Sequence, residues 1–133
     1  MRKLTGVRLL EVFSMLACVV VGGCRQANDL VEVAGTVTWN GKPIPNGMIV
    51  FRPMDPQLAP AGCKIADGKF LLRTKPGKMR VQIEAVRTTT QRDPQSGTYL
   101  GDMYIPSRYN TETELEANII RDGENRFNFA LKN

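Results

Sequence analysis

Apolar and polar residues alternate along most of this chain. From Val31 to Trp39, Val31, Val33, Gly35, Val37 and Trp39 fall on one side of an extended segment, and Glu32, Ala34, Thr36 and Thr38 fall on the other. A period of two, rich in β-branched residues, predicts a strand. Asn40-Gly41 follows, a pair suited to positive φ in a tight turn. Lys42-Pro43-Ile44-Pro45-Asn46 is too proline-rich for the interior of a ladder. Met48-Ile49-Val50-Phe51 predicts a second strand, ended by Pro53. Asp55 to Pro60 reads as loop, Gly62 to Ala66 as a short strand, and Asp67-Gly68 as a turn into the strand Lys69 to Arg73. After the turn Lys75-Pro76-Gly77-Lys78, the apolar Met79, Val81, Ile83 and Ala85 alternate with Arg80, Gln82 and Glu84. Leu115, Ala117 and Ile119 alternate again. Asp122-Gly123 turns the chain, and Phe127, Phe129 and Leu131 share one side of the last segment, Asn125 to Leu131.

Between these regions, Thr88 to Asn110 lacks a period and reads as one long irregular loop. It holds Tyr99, Tyr104 and Tyr109 together with Arg92 and Arg108, and Arg87 stands just before it. Loops of such length are uncommon in compact domains and are often functional. No segment carries a helical period, and no internal repeat is present. About seven short strands at near-regular spacing predict an antiparallel β-sandwich over residues 31–133.

The first residues follow a different logic. Arg2, Lys3 and Arg8 precede an uncharged run from Val12 to Val21, then come Gly22, Gly23 and Cys24. A basic start, a short apolar run and small residues at a cut site form a secretory signal. The run is about half of the ~20 residues a spanning helix needs. Residues 1–23 therefore read as a signal peptide and residues 24–30 as a short polar tether. Val21-Gly22-Gly23-Cys24 resembles the lipobox of bacterial lipoprotein precursors, with Val21 where Leu is usual. The resemblance implies that the Cys24 thiol takes a diacylglyceryl group and that the peptide is cut between Gly23 and Cys24. A thiolate is the strongest side-chain nucleophile near neutral pH, and two acyl chains of the palmitate type anchor a protein stably where one does not. The plainer alternative is an ordinary signal peptide cut nearby, with Cys24 incidental. The lipobox reading places the protein in the bacterial cell envelope, lipid-anchored to a membrane on the periplasmic or extracytoplasmic side.

Composition narrows the chemistry. Loss of the leader leaves 15 basic and 12 acidic residues, a charge of +3. That is too mild and too dispersed for a nucleic-acid partner. The chain has no histidine, which excludes Ser-His and Cys-His dyads and any His-ligated metal. Cys63 is the one thiol left after lipidation; it cannot pair within the chain, and burial is its expected state. Asp55, Asp67, Asp93 and Asp102 are scattered and lack the spaced oxygen ligands of a calcium loop. Glu112, Glu114 and Glu116 form an acidic run whose expected place is the solvent. No metal, cofactor or catalytic set is therefore expected.

A family resemblance adds to this reading. Gly35-Thr36-Val37-Thr38-Trp39-Asn40-Gly41-Lys42-Pro43-Ile44-Pro45-Asn46-Gly47, with Val50-Phe51-Arg52-Pro53, resembles the opening of carboxypeptidase regulatory-like domains. Ala66-Asp67-Gly68-Lys69-Phe70 and Lys75-Pro76-Gly77-Lys78 resemble their middle turns. Ile105 to Asn110 and Gly123 to Phe129 resemble small bacterial lipoproteins carrying such a domain. The resemblance implies a seven-stranded, prealbumin-like (transthyretin-like) sandwich and carries no catalytic residue.

Three functions follow as expectations. The first is a non-catalytic, lipid-anchored module that contacts an envelope protein or polysaccharide, with Tyr99, Tyr104, Arg108 and Tyr109 as candidate binding residues, because Tyr and Arg dominate interface hot spots. An alternative for Tyr109 is that it plugs the sandwich edge with its hydroxyl on backbone. The second function is a structural spacer without a specific ligand. The third, a transthyretin-like hydrolase, would need histidines that the chain lacks. Nothing in the sequence implies an oligomeric state.

Overall fold

The computed structural model describes residues 29–133. The signal segment, the 21–24 junction and Cys24 lie outside the described residues. Ten strands follow one another: β1 (Val31–Trp39), β2 (Lys42–Pro43), β3 (Asn46–Pro53), β4 (Ala61–Ala66), β5 (Lys69–Thr74), β6 (Gly77–Glu84), β7 (Val86–Arg92), β8 (Tyr99–Met103), β9 (Glu116–Ile119) and β10 (Arg126–Leu131). A single 3-10 turn, Ser107–Tyr109, lies between β8 and β9. Among the described residues no helix is long and apolar enough to cross a membrane.

The main sheet runs β10-β1-β5-β4-β3-β6-β9, with the short β2 beside β1. It curls back on itself at the Asp67-Gly68 corner. There β4 and β5 share only the pair Ala66↔Lys69 and then splay apart. One half, β10-β1-β5, thereby faces the other, β4-β3-β6-β9. The two halves meet through Phe51 of β3, whose ring centroid lies 5.9 Å from that of Phe70 on β5 and 6.4 Å from those of Phe127 and Phe129 on β10. Val33, Val37, Ile49, Phe51, Met79, Val81 and Ile83 have no exposed surface. The alternating sets of the sequence thus supply both inner faces.

The corner takes its shape from local chemistry. Asp67 and Gly68 have φ of 51° and 73°, and Asn40 and Gly41 have 49° and 80°. Positive φ at both central residues is the geometry that Asn-Gly and Asp-Gly favour in tight hairpins. The Gly68 amide donates to the Ile44 carbonyl at 2.7 Å, and the Gly68 carbonyl accepts from the Val37 amide at 2.7 Å. The corner is thus tied to the proline-rich segment beside β1.

Three expectations are corrected. The pairing is not antiparallel throughout: β10 lies parallel to β1. The chain leaves β9 at one edge of the sheet and enters β10 at the other, and such a crossover, unlike a hairpin, permits parallel strands. Thr88 to Asn110 is not one irregular loop: most of it forms the two-stranded sheet β7–β8 and the 3-10 turn. Its alternation is absent because no side chain of either strand is buried. Cys63 is half-buried rather than enclosed. It sits on β4 where the strand parts from β5, and partial burial there pushes its thiol pKa up, against a hydrogen bond with the Leu71 backbone.

Candidate functional site

The end of the sandwich where β1 stops carries an aromatic cluster. Trp39, the one tryptophan of the chain, ends β1 between Lys42 of β2 and Leu131 of β10. This pairing on both sides fixes its backbone. Around it, the Tyr104 ring stands 6.1 Å away at 67° and the Tyr109 ring 6.4 Å away at 86°. Both are edge-to-face arrangements, which the aromatic quadrupole favours.

Each tyrosine is held by a different device. Tyr104 immediately follows β8, and its amide donates to the Ala85 carbonyl. The Arg87 guanidinium lies 5.8 Å from the centre of its ring. Burial raises the Tyr104 phenol pKa, opposed by the positive charge of Arg87. Tyr109 belongs to the 3-10 turn. Its hydroxyl donates to the Lys132 carbonyl at 3.1 Å and accepts from the Lys132 amide at 3.2 Å. Arg108 donates to the same carbonyl and lies 5.0 Å over the Tyr109 ring. The Lys132 backbone, then Arg108, lowers the pKa of Tyr109.

Buried Asn110 fastens this segment to the body. Its side-chain amide donates to the Ile105 and Pro106 carbonyls at 3.3 and 3.4 Å, and its backbone carbonyl accepts from Gln82 of β6 at 3.0 Å. Tyr109 therefore stands on a braced turn rather than on a free loop, and Tyr104 leads into it.

Between Trp39 and the β7–β8 hairpin lies a cleft of about 420 Å³, lined by Trp39, Pro45, Asn46, Val86, Arg87, Thr88 and Tyr104. That volume is within the range of small-ligand sites. Arg87 does not face the cleft as a free cation. Its Nη2 and Nε donate to one oxygen of Asp102 on the paired strand, at 2.8 and 3.0 Å. The arrangement offers aromatic surface, an amide, a hydroxyl and a compensated ion pair. These groups can stack and hydrogen-bond.

No protein family matches this chain, and no curated protein matches it. Among solved structures, it resembles part of a 9R-lipoxygenase from Cyanothece PCC8801, at 12% identity and a TM-score of 0.42. The likeness covers 79% of this chain and spans 16% of that lipoxygenase.

The four candidate residues thus separate. Tyr104 lines the cleft. Tyr109 and Arg108 brace the turn beside Trp39. Tyr99 stands apart on β8, its ring 4.6 Å beneath the Arg92 guanidinium and its hydroxyl accepting from Arg92 at 2.8 Å. Trp39 and Arg87 are the liners that sequence reasoning passed over, because Trp39 fitted the core face of a strand and Arg87 belonged to no motif. The available signal was position: a lone tryptophan directly before an Asn-Gly turn stands at a rim. Glu114 and Glu116 are exposed, and Glu112 accepts from the Ser107 hydroxyl at 2.6 Å. Among the described residues no group of three His, Cys, Asp or Glu is placed to hold a metal ion.

Proposed function

We propose that this chain is a lipid-anchored protein of the bacterial cell envelope whose β-sandwich is a non-catalytic contact module, binding an envelope protein or polysaccharide. The observation that carries the reading is the Trp39–Tyr104–Arg87 cleft, half-buried aromatic surface held ready at the end of a rigid sheet. Tyr, Trp and Arg are the residues that most often carry binding energy, and a preformed aromatic site loses little freedom on binding. The anchor rests on the basic start, the apolar run and the small pair before Cys24. Assignment to the prealbumin-like class is supported by the all-β, curled main sheet, which has eight strands when β2 is counted. It also accords with the turn motifs that resemble carboxypeptidase regulatory-like domains.

In-cell crosslinking of the tagged full chain, beside a folded Trp39→Ala/Tyr104→Ala variant, tests the module. Capture that the variant loses supports it. Identical capture by both chains moves the contact elsewhere, and no capture favours a spacer. The anchor has its own test: Cys24→Ala should release the protein from membranes, and retention would refute lipidation at that residue.

A further inference from the structure

The chemistry of the cleft is more specific than its position, and it selects among ligands. Resting on the reading of this cleft as a contact site, we propose that it takes an uncharged sugar ring of a polysaccharide chain. The ring stacks against the Trp39–Tyr104 corner and is hydrogen-bonded by Asn46, Thr88 and Arg87.

The first argument is charge. Arg87 and Tyr104 are the titratable liners, and Arg87 is paired with Asp102 at 2.8 Å. An anionic ligand would be repelled by that carboxylate, and a cationic one would meet the guanidinium. A neutral ligand meets neither penalty. The second argument is shape. Two aromatic rings at 67° form a corner, and a pyranose presents a flat, apolar C–H face to one wall while its edge meets the other. Aromatic rings with a polar handle suit ligands that are apolar on one side and wet on the other.

The third argument is the rim. Asn46 and Thr88 are exposed, so hydroxyls can bond to their amide and hydroxyl groups. Both groups donate and accept, matching the mixed character of sugar hydroxyls or an N-acetyl group. A guanidinium with one oxygen partner keeps N–H donors to spare. Pro45, Asn46, Val86, Arg87 and Thr88 are all exposed, so the cleft faces outward. Such a site suits one unit of a continuing chain better than an enclosed monomer.

The test titrates the purified full chain with N-acetylglucosamine tetramer, cellohexaose and, for contrast, an oligogalacturonate, reading Trp39 emission and calorimetric heat. The expected result is saturable binding of at least one neutral oligomer, little changed by added salt. Tyr104→Ala should weaken that binding about tenfold or more, whereas Tyr104→Phe should retain most of it. Asn46→Ala/Thr88→Ala, which removes no core contact, should weaken it too. Preferred, salt-sensitive binding of the oligogalacturonate would overturn the neutral-ligand inference. So would binding of a proline-rich peptide in place of every sugar. Failure of both neutral sugars, alongside a Tyr104-dependent protein partner in the crosslinking experiment, would overturn the saccharide and leave the contact module standing. Failure of both experiments would remove the two readings together.

Discussion

Phe51 reaches across between the two halves of the sheet. It has no exposed surface, and its ring reaches Phe70, Phe127 and Phe129 from the opposite half. Truncating a buried Phe to Ala costs about 3–5 kcal/mol, the lost transfer energy plus a residual cavity. Aromatic pairs at such distances supply about 0.5–1.5 kcal/mol beyond area burial. With three such neighbours, Phe51→Ala belongs at the upper end, about 4–5 kcal/mol. A domain of this size has about 5–15 kcal/mol in all, so the variant should lose about a third of its stability or more. Urea titration followed by Trp39 emission measures it, since Trp39 lies outside this ring cluster. With a slope of about 1–3 kcal/mol/M, the midpoint should fall by about 2 M, with the slope unchanged. A Phe51→Leu/Phe129→Leu cycle then isolates contact across the halves, with a coupling of about 0.5–3 kcal/mol expected. A Phe51→Ala cost below about 1 kcal/mol, or strict additivity in the cycle, would mean that the halves do not meet through this ring.

Other expectations follow from the same packing. A Cβ at Gly35 would overlap the Phe127 carbonyl of the parallel neighbour β10 and lie 2.9 Å from the Phe70 ring; Gly35→Ala should destabilise by about 1–3 kcal/mol or more in urea, and a neutral result would refute the close approach. Asn125 accepts from the Ile120 amide at 2.8 Å and donates to its carbonyl at 2.9 Å; Asn125→Ala should cost about 1–3 kcal/mol, with a lowered thermal midpoint as the readout. The Cys63 thiol pKa is raised in the fold, so its contribution is complete below the ordinary thiol value and lost as pH rises through the raised one. Stability should therefore decline on that alkaline limb, and a Cys63→Ser variant that keeps the same slope would assign it elsewhere. Amides of β7 and β8 should exchange with deuterium faster than those of β1, β3 and β6, because neither hairpin strand buries a side chain; equal protection would refute their looser attachment.

What the sequence conveyed and what it hid have a common cause. Alternation appears only where one side of a strand meets a core. β1, β3, β6 and β10 were legible because Val33, Ile49, Val81 and Phe129 recur two apart with their neighbours inside. The Asn40-Gly41 and Asp67-Gly68 turns were legible because few residue pairs adopt positive φ twice. The β7–β8 hairpin was not, since both its sides face solvent. Its turn is made instead by Asp93, whose carboxylate accepts from the Gln95 and Ser96 amides at 2.8 Å, a local device that reads as loop. The parallel β1–β10 pair was hidden because alternation gives the side of a strand that is buried, not the direction of its partner. Of the four candidate binding residues, Tyr104 alone lines the cleft. Trp39 escaped because the same periodicity that assigns it to a strand also assigns it to the core.

The cleft joins two walls of unequal firmness. Trp39 stands on a strand paired on both sides and is flanked by a tyrosine whose hydroxyl is anchored to backbone. The facing wall is a two-stranded hairpin, and an isolated pair of strands is marginal in water. That hairpin is joined to the body next to the cleft, through the Tyr104 amide on Ala85 and the side chain of Asn110 on Met103. Arg87 and Asp102 then clamp its strands together at the same level. An exposed ion pair adds little to overall stability, so its weight here is positional. It holds the Val86–Thr88 side of the cleft in register with Tyr104. A ligand that bridged Trp39 and Thr88 would meet walls already in place, and any ordering it imposed would fall on the few residues of the hairpin base rather than on the sandwich.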